Sequence, residues 1–374
     1  MPLSKIQTTN NQVVPNLGRR NIIINGAMQL AQRQGGALTA GVNNTYFLDR
    51  WKFYLNGSCA ASTQKLPATD SNVSSLHTAS GQTFSNVMSI DCTTAATLGS
   101  SDLLGVLQLI EGANSVPLAG RSCTLSFYVK TNVTGQYYVT FKIGSGRSYI
   151  APYTVSSANT WEKKTITLTM DTLANLNTSG SITTSAGFQV YFGLRLGTSG
   201  QMSNTLNAWH AGNYYGKSDQ VTWGTNTADT FYMSGVQLEI GDTATDFEHR
   251  PIGEELALCS RYYHTSFSGE TTIGGSHPAN YSGKVFSWCD HYGSSPDRVA
   301  FNYQWPVQMR DIPTVTMYGN QWTSARMSKY NAGSAEYTID YASGVSRNGL
   351  GGYYDVAGVN GDFVVAYVEA LAEL

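Results

Sequence analysis

Aromatic stacking faces set among uncharged hydrogen-bonding groups are the chemistry this sequence concentrates. The run WHAGNYYGKSDQVTWG carries Trp209, Tyr214, Tyr215 and Trp223 among amide, hydroxyl and carboxylate side chains. A second run, GGYYDVAGVNG, carries Tyr353, Tyr354, Asp355 and Asn360. Rings of this kind stack on the C–H faces of sugars, while amides, carboxylates and backbone groups bond the hydroxyls. Gly351 and Gly352 beside the tyrosine pair let the backbone approach a ligand, so the second run reads as an exposed recognition loop. Packing at an oligomer axis is its competing use, and the rings of the first run can equally serve a core.

Catalysis needs a convergent set of groups, and none is spelled out. The six histidines fall in no H-E-x-x-H, nucleophile-elbow or metal-ligand spacing, and no phosphate-binding loop is present. The five cysteines are scattered without a CxxC pair, which suits reduced, buried thiols better than zinc. Glu254 and Glu255 stand where a helix begins, and the helix dipole explains them. Asp290, His291 and Asp297 are the remaining acid–base candidates, of a kind most domains contain without catalysis. The expectation is no catalytic residue, no metal and no cofactor.

The elements that must position these residues are strands. Alternation puts Trp51, Phe53 and Leu55 on one face, then Leu125, Phe127 and Val129, then Tyr137, Val139, Phe141 and Ile143. The last two runs flank a Gly-containing turn at 133–135 and so read as a hairpin. Phe188, Val190, Phe192, Leu194 and Leu196 form another inward face, and Val236, Leu238 and Ile240 another, with Ser234-Gly235 as a bulge. Short alternating strands between Gly/Ser/Asn loops predict an all-β chain. Its parts are an extended segment at 1–28, a jelly-roll sandwich at 29–248, a linking helix within 249–265 and a smaller C-terminal β-domain at 266–374. The first segment has few core-forming residues and docks elsewhere, or else forms an edge strand of the sandwich. The helix, Glu254 to about Tyr263, carries a narrow stripe of Leu256, Cys259 and Tyr263, suited to a seam among three chains.

Composition narrows the partners. Only 13% of the 374 residues are charged, the net charge is −2, and there are 23 tyrosines. No basic run tracks phosphates, so nucleic acid is not expected as a partner. No stretch reaches the ~20 apolar residues of a membrane span, and the start MPLSKIQTTNN has no signal-peptide core.

Three strings carry a resemblance: GRRNIIINGAMQLAQR, LIEGANSVPLAGRSCTLSFYVKTNVTG and GVQLEIGDTATDFEHRPIGEELALCSRYY. Together, from Gly18 to Tyr263, they resemble tailed-bacteriophage tail fibres in which a jelly roll like that of carbohydrate-binding modules joins a C-terminal β-domain. The resemblance implies a homotrimeric virion protein, attached to other tail or baseplate proteins through 1–28, that binds host surface glycan without cleaving it. A head fibre, an adaptor, a polysaccharide depolymerase and a free carbohydrate-binding module of a glycan-degrading enzyme are the alternatives.

Overall fold

The computed structural model describes residues 19–33, 37–144, 146–176, 185–199, 201–267, 283, 285–290, 297–319, 324, 326–329, 336–338, 344–356 and 363–374; 286–290, 297–300, 326–329, 336–338, 353–356 and 363 are described by backbone alone. The chain is all-β: a two-sheet jelly-roll sandwich that carries a helix at Ser71–Ser80, a short helix after it and a smaller C-terminal β-domain.

The sandwich strands are β1 (Thr39–Ala40), β2 (Thr45–Leu48), β3 (Trp51–Asn56), β4 (Ala60–Leu66), β5 (Val87–Thr94), β6 (Leu103–Glu111) and β7 (Ser122–Thr131). They continue with β8 (Gly135–Ile143), β9 (Arg147–Val155), β10 (Glu162–Thr169), β11 (Ala186–Leu196), β12 (Trp209–Ala211) and β13 (Thr230–Ile240). One sheet has the order β1-β4-β5-β13-β7-β10 and the other β12-β9-β8-β11-β6-β3-β2. Their inner faces supply one core: Leu125, Phe127 and Val129 face Tyr137, Val139, Phe141, Phe188, Val190 and Phe192, all buried. Each such side chain contributes roughly 1.5–3 kcal/mol on burial. Gly235, at φ 63°, sits in a register shift of β13 against β7 between Ser234 and Gln237, the bulge its sequence suggests.

Three expectations about the sandwich need correction. β7 and β8 are not a hairpin: β7 pairs with β10 and β13, β8 pairs with β9 and β11, and residues 132–134 arch from one sheet to the other. Asn132 fixes the arch by accepting from the Thr230 N–H (2.8 Å) and donating to Ala228 O (2.9 Å). Leu196 leaves the inner face because β11 shifts register between Gly193 and Arg195, so it packs with Leu103, Leu107, Tyr191 and Tyr215 outside. Residues 19–28, assigned to a docking segment, are built into the sandwich. Ile23 and Met28 are fully buried. Ile22 N–H donates to Leu238 O (2.9 Å), Val236 N–H to Gly26 O (2.9 Å), and the Gln108 side chain bonds both backbone groups of Ile24. Residues 1–18 lie outside the described residues.

The helix spans Ile252–Ser260, and Tyr263 already belongs to strand β14 (Tyr263–Thr265). The trimer-seam assignment therefore fails for two of its three residues. Cys259 packs inside the chain against Ile24 and Tyr262, and Tyr263 is 1% exposed; only Leu256, at 40%, stays open, beside Ile252 at 57%. The C-terminal domain adds β15 (Val285–Asp290), β16 (Asp297–Gln304), β17 (Thr314–Tyr318), β18 (Arg326–Lys329), β19 (Glu336–Thr338), β20 (Gly349–Val356) and β21 (Phe363–Leu371). Its sheet runs β19-β18-β21-β15-β16-β20, with β14 and β17 also on β21.

A buried ionic junction joins the two β-domains. Arg33 stacks over the Tyr263 ring (3.7 Å) and Arg50 over the Tyr262 ring (3.6 Å). Both guanidiniums pair with Glu373, the former at 3.0 Å. Glu111 accepts from Arg261 (2.6 Å) and from the Tyr262 hydroxyl (2.7 Å). Burial works against the charge on Arg33, but Glu373 and Asp49 outweigh it and raise its pKa.

Candidate functional site

The cleft that unites a sequence-predicted ring with free polar groups lies at one lateral edge of the sandwich. Edge strand β12 of the seven-stranded sheet and edge strand β10 of the six-stranded sheet form its two sides. Pairing of Trp209 with Tyr149 on β9 brings the two rings to 5.6 Å, and the indole N–H donates to Thr169 O (2.9 Å) across the gap. The indole is thus fixed in orientation and left half-buried. Leu168 forms an apolar floor, and Ser122, Thr167, Thr169 and Asn207 rim a volume of about 370 Å³.

Three of those four rim groups are available. Thr167 is engaged with the Thr124 hydroxyl (3.1 Å), but the hydroxyls of Ser122 and Thr169 and the Asn207 amide make no hydrogen bond among the described residues. Asn207 holds a left-handed backbone (φ 56°), where Asn is among the tolerated side chains, and its N–H is tied to Ile150 O (2.9 Å). A ring face, an apolar floor and unengaged neutral hydrogen-bonding groups are what a sugar ring requires.

The other candidates of the first aromatic run separate. Tyr214 stacks on His210 (5.1 Å, 23°), half-buried beside the cleft strand rather than in the cleft. Tyr215 is buried on the outer face of the seven-stranded sheet, packed edge-on to Tyr191 (5.0 Å) and parallel to Tyr54 (6.1 Å). Met202 and the segment 215–221 lie over that face. Thr140 Oγ1 donates to Tyr215 O (2.9 Å), Tyr138 bonds Asp219, and Val221 N–H donates to Gln136 O (2.9 Å). Opposed Gly105 and Gly193 leave the hollow in which Tyr191 sits; a Cβ on Gly105 would stand 2.6 Å from its hydroxyl. Tyr215 is therefore structural.

In the C-terminal domain Tyr353, Tyr354 and Asp355 lie on strand β20, paired with Ala300, Val299 and Arg298, and not on a loop. Asn360 and His291 lie outside the described residues. Asp290 and Asp297 terminate the neighbouring strands β15 and β16.

A larger cleft, about 540 Å³, runs between the helix (Gly253, Leu256, Ala257) and the C-terminal domain (His264, Phe267, Val307). Its polar groups are mostly spent: Gln32 on Asp49 (2.7 Å), Lys65 on Gln29 O (3.2 Å), His264 on Tyr303 (2.8 Å). Burial pushes the His264 imidazole down to about 4, so it is neutral. Such a surface suits apolar contact better than a sugar. Among the described residues no group of three His, Cys, Asp or Glu could hold a metal, and no helix is long and apolar enough to cross a membrane.

No family model matches the sequence, and no curated protein does. Among solved structures the chain is similar to the enzymatically active domain of tailspike protein 4 of bacteriophage CBA120, at 12% identity and a TM-score of 0.29; the match spans 59% of this chain and 21% of that one. It is similar to the family 11 carbohydrate-binding module of Clostridium thermocellum in complex with a β-1,3-1,4-mixed-linked tetrasaccharide, at 12% identity and a TM-score of 0.27, covering 57% of this chain and 98% of that one. It is similar also to TmCBM61 in complex with β-1,4-galactotriose, at 9% identity and a TM-score of 0.30, covering 60% and 100%. Scores of this size carry no argument about function, and the description of the fold stands on its own sheets.

Proposed function

We propose that this protein is a non-catalytic glycan-binding fibre protein of a tailed-bacteriophage virion, with Trp209 as its stacking ring. The cleft at the sandwich edge carries the reading: one oriented indole, one buried tyrosine and free neutral hydrogen-bonding groups converge there. Among the described residues its lining is Ser, Thr, Asn, Leu, Ala, Tyr and Trp, groups suited to binding a sugar. The virion setting is supported by the resemblance of the three strings between Gly18 and Tyr263. Homotrimer contact, in this reading, uses the exposed Ile252 and Leu256 of the helix in place of Cys259 and Tyr263.

The test is adsorption to host cells or to their purified surface polysaccharide. Trp209→Ala weakens single-site binding by about 2–4 kcal/mol, as loss of an aromatic anchor does. A folded Trp209→Ala protein that adsorbs as before refutes the site. Tyr353→Ala/Tyr354→Ala is the parallel test for the C-terminal domain. Release of reducing ends from the polysaccharide would put cleavage in place of binding.

A further inference from the structure

We infer that the Trp209 cleft selects neutral glycans over glycans bearing carboxylate or phosphate groups. This rests on the glycan reading above. Among the described residues the cleft is lined only by uncharged groups: the Trp209 and Tyr149 rings, Leu168 and Ala208, the hydroxyls of Ser122, Thr167 and Thr169, and the Asn207 amide. Neutral donors and acceptors of this kind bond sugar hydroxyls and acetamido groups without a charge on either side. An anionic substituent placed against this lining gives up hydration with no cation to replace it, and an unpaired charge is the costliest group to desolvate.

Neighbouring ions do not supply the missing partner. Arg147, beside β12 through its pairing with Ala211, is bound to Asp171. Asp171 is in turn filled by the Thr172 N–H (2.8 Å) and the Asn175 amide (2.8 Å). Arg121, adjacent to Ser122, has no ion pair among the described residues and does not line the cleft. If its guanidinium reached the ligand, the preference would reverse, so the experiment includes it.

Full-length protein is titrated calorimetrically with neutral tetrasaccharides of glucose, galactose and N-acetylglucosamine, and with acidic oligomers of galacturonate and sialate. At least one neutral oligomer is expected to bind about tenfold or more tightly than any acidic one, with the same affinity at low and high salt. Trp209→Ala weakens that binding about thirtyfold or more, and so does Asn207→Gly/Thr169→Val, which keeps the ring packing and the left-handed backbone at 207 and so guards against a folding artefact. A tighter acidic oligomer, weakened by salt, by Trp209→Ala and by Arg121→Gln, overturns the selectivity and leaves the glycan site standing. Neutral binding that survives both cleft variants, or no binding by any sugar, removes the glycan reading and this inference with it.

Discussion

Lys142 offers the sharpest test of the packing. It is 3% exposed, on the outer face of the seven-stranded sheet between Ser148 and Gln189, with Nζ 3.5 Å from the centre of the Tyr215 ring. Burial alone pushes its pKa down from 10.5 to about 7. Read as stability, that fall corresponds to about 5 kcal/mol, since tenfold in proton affinity is about 1.4 kcal/mol. Contact with the ring offsets up to about 2 kcal/mol, so a net cost of about 3 kcal/mol remains. The sign follows from proton binding. Below the folded pKa both states hold the proton and the cost is complete. Contact with the ring moves the folded pKa back above 7, and between that value and 10.5 only the unfolded chain holds the proton, so stability rises with pH across that window. Lys142→Met keeps the stem and removes the charge. It should stabilise the protein by about 3 kcal/mol near pH 6, with the gain fading as pH approaches 10.5. Urea unfolding at several pH values measures this. A gain that does not change with pH, or a variant less stable than the parent at acid pH, would refute the reasoning by showing that the ammonium has a partner.

Glu373→Gln should cost about 3–5 kcal/mol, because it leaves Arg33 and Arg50 buried together without their shared anion; thermal unfolding that matches the parent rules this out. Deletion through residue 28 removes the fully buried Ile23 and Met28, each worth about 2–5 kcal/mol, and should prevent folding. Deletion through residue 18 keeps every contact described here, and circular dichroism of the two proteins separates the outcomes. Light scattering should give about three times the chain mass, and Leu256→Asp should reduce it to one; a stable parent monomer counts against the trimer.

Alternation made the inner faces legible, because Phe188 to Leu194 and Leu125 to Val129 each bury every second residue in one core. The arch at 132–134 was not legible: a short Gly-containing link fits a hairpin and an arch alike, and the choice lies with partners far away in sequence. Residues 19–28 looked too polar for a core because Asn21 and Asn25 act as backbone substitutes. Asn21 donates to Val236 O (3.0 Å) and accepts from Leu238 N–H (3.1 Å); Asn25 donates to Leu30 O (2.8 Å) and Asp49 O (3.0 Å). Asparagines bracketing an isoleucine triplet were the available signal. Of the cleft, residue type disclosed Trp209 alone. Ser122, Thr167 and Thr169 arrive from strands where alternation marks them only as outward-facing.

The junction of Arg33, Arg50, Tyr262, Tyr263 and Glu373 also has a mechanical meaning. Two stacked cation–ring pairs and one bridging carboxylate, with Arg261 clamped on Glu111, tie the sandwich to the C-terminal domain through charge as well as through the chain. A pull or torque applied at the far end of the C-terminal sheet therefore turns the sandwich as one lever arm. Any surface seized by that end fixes, at the same stroke, the direction in which the Trp209 cleft points.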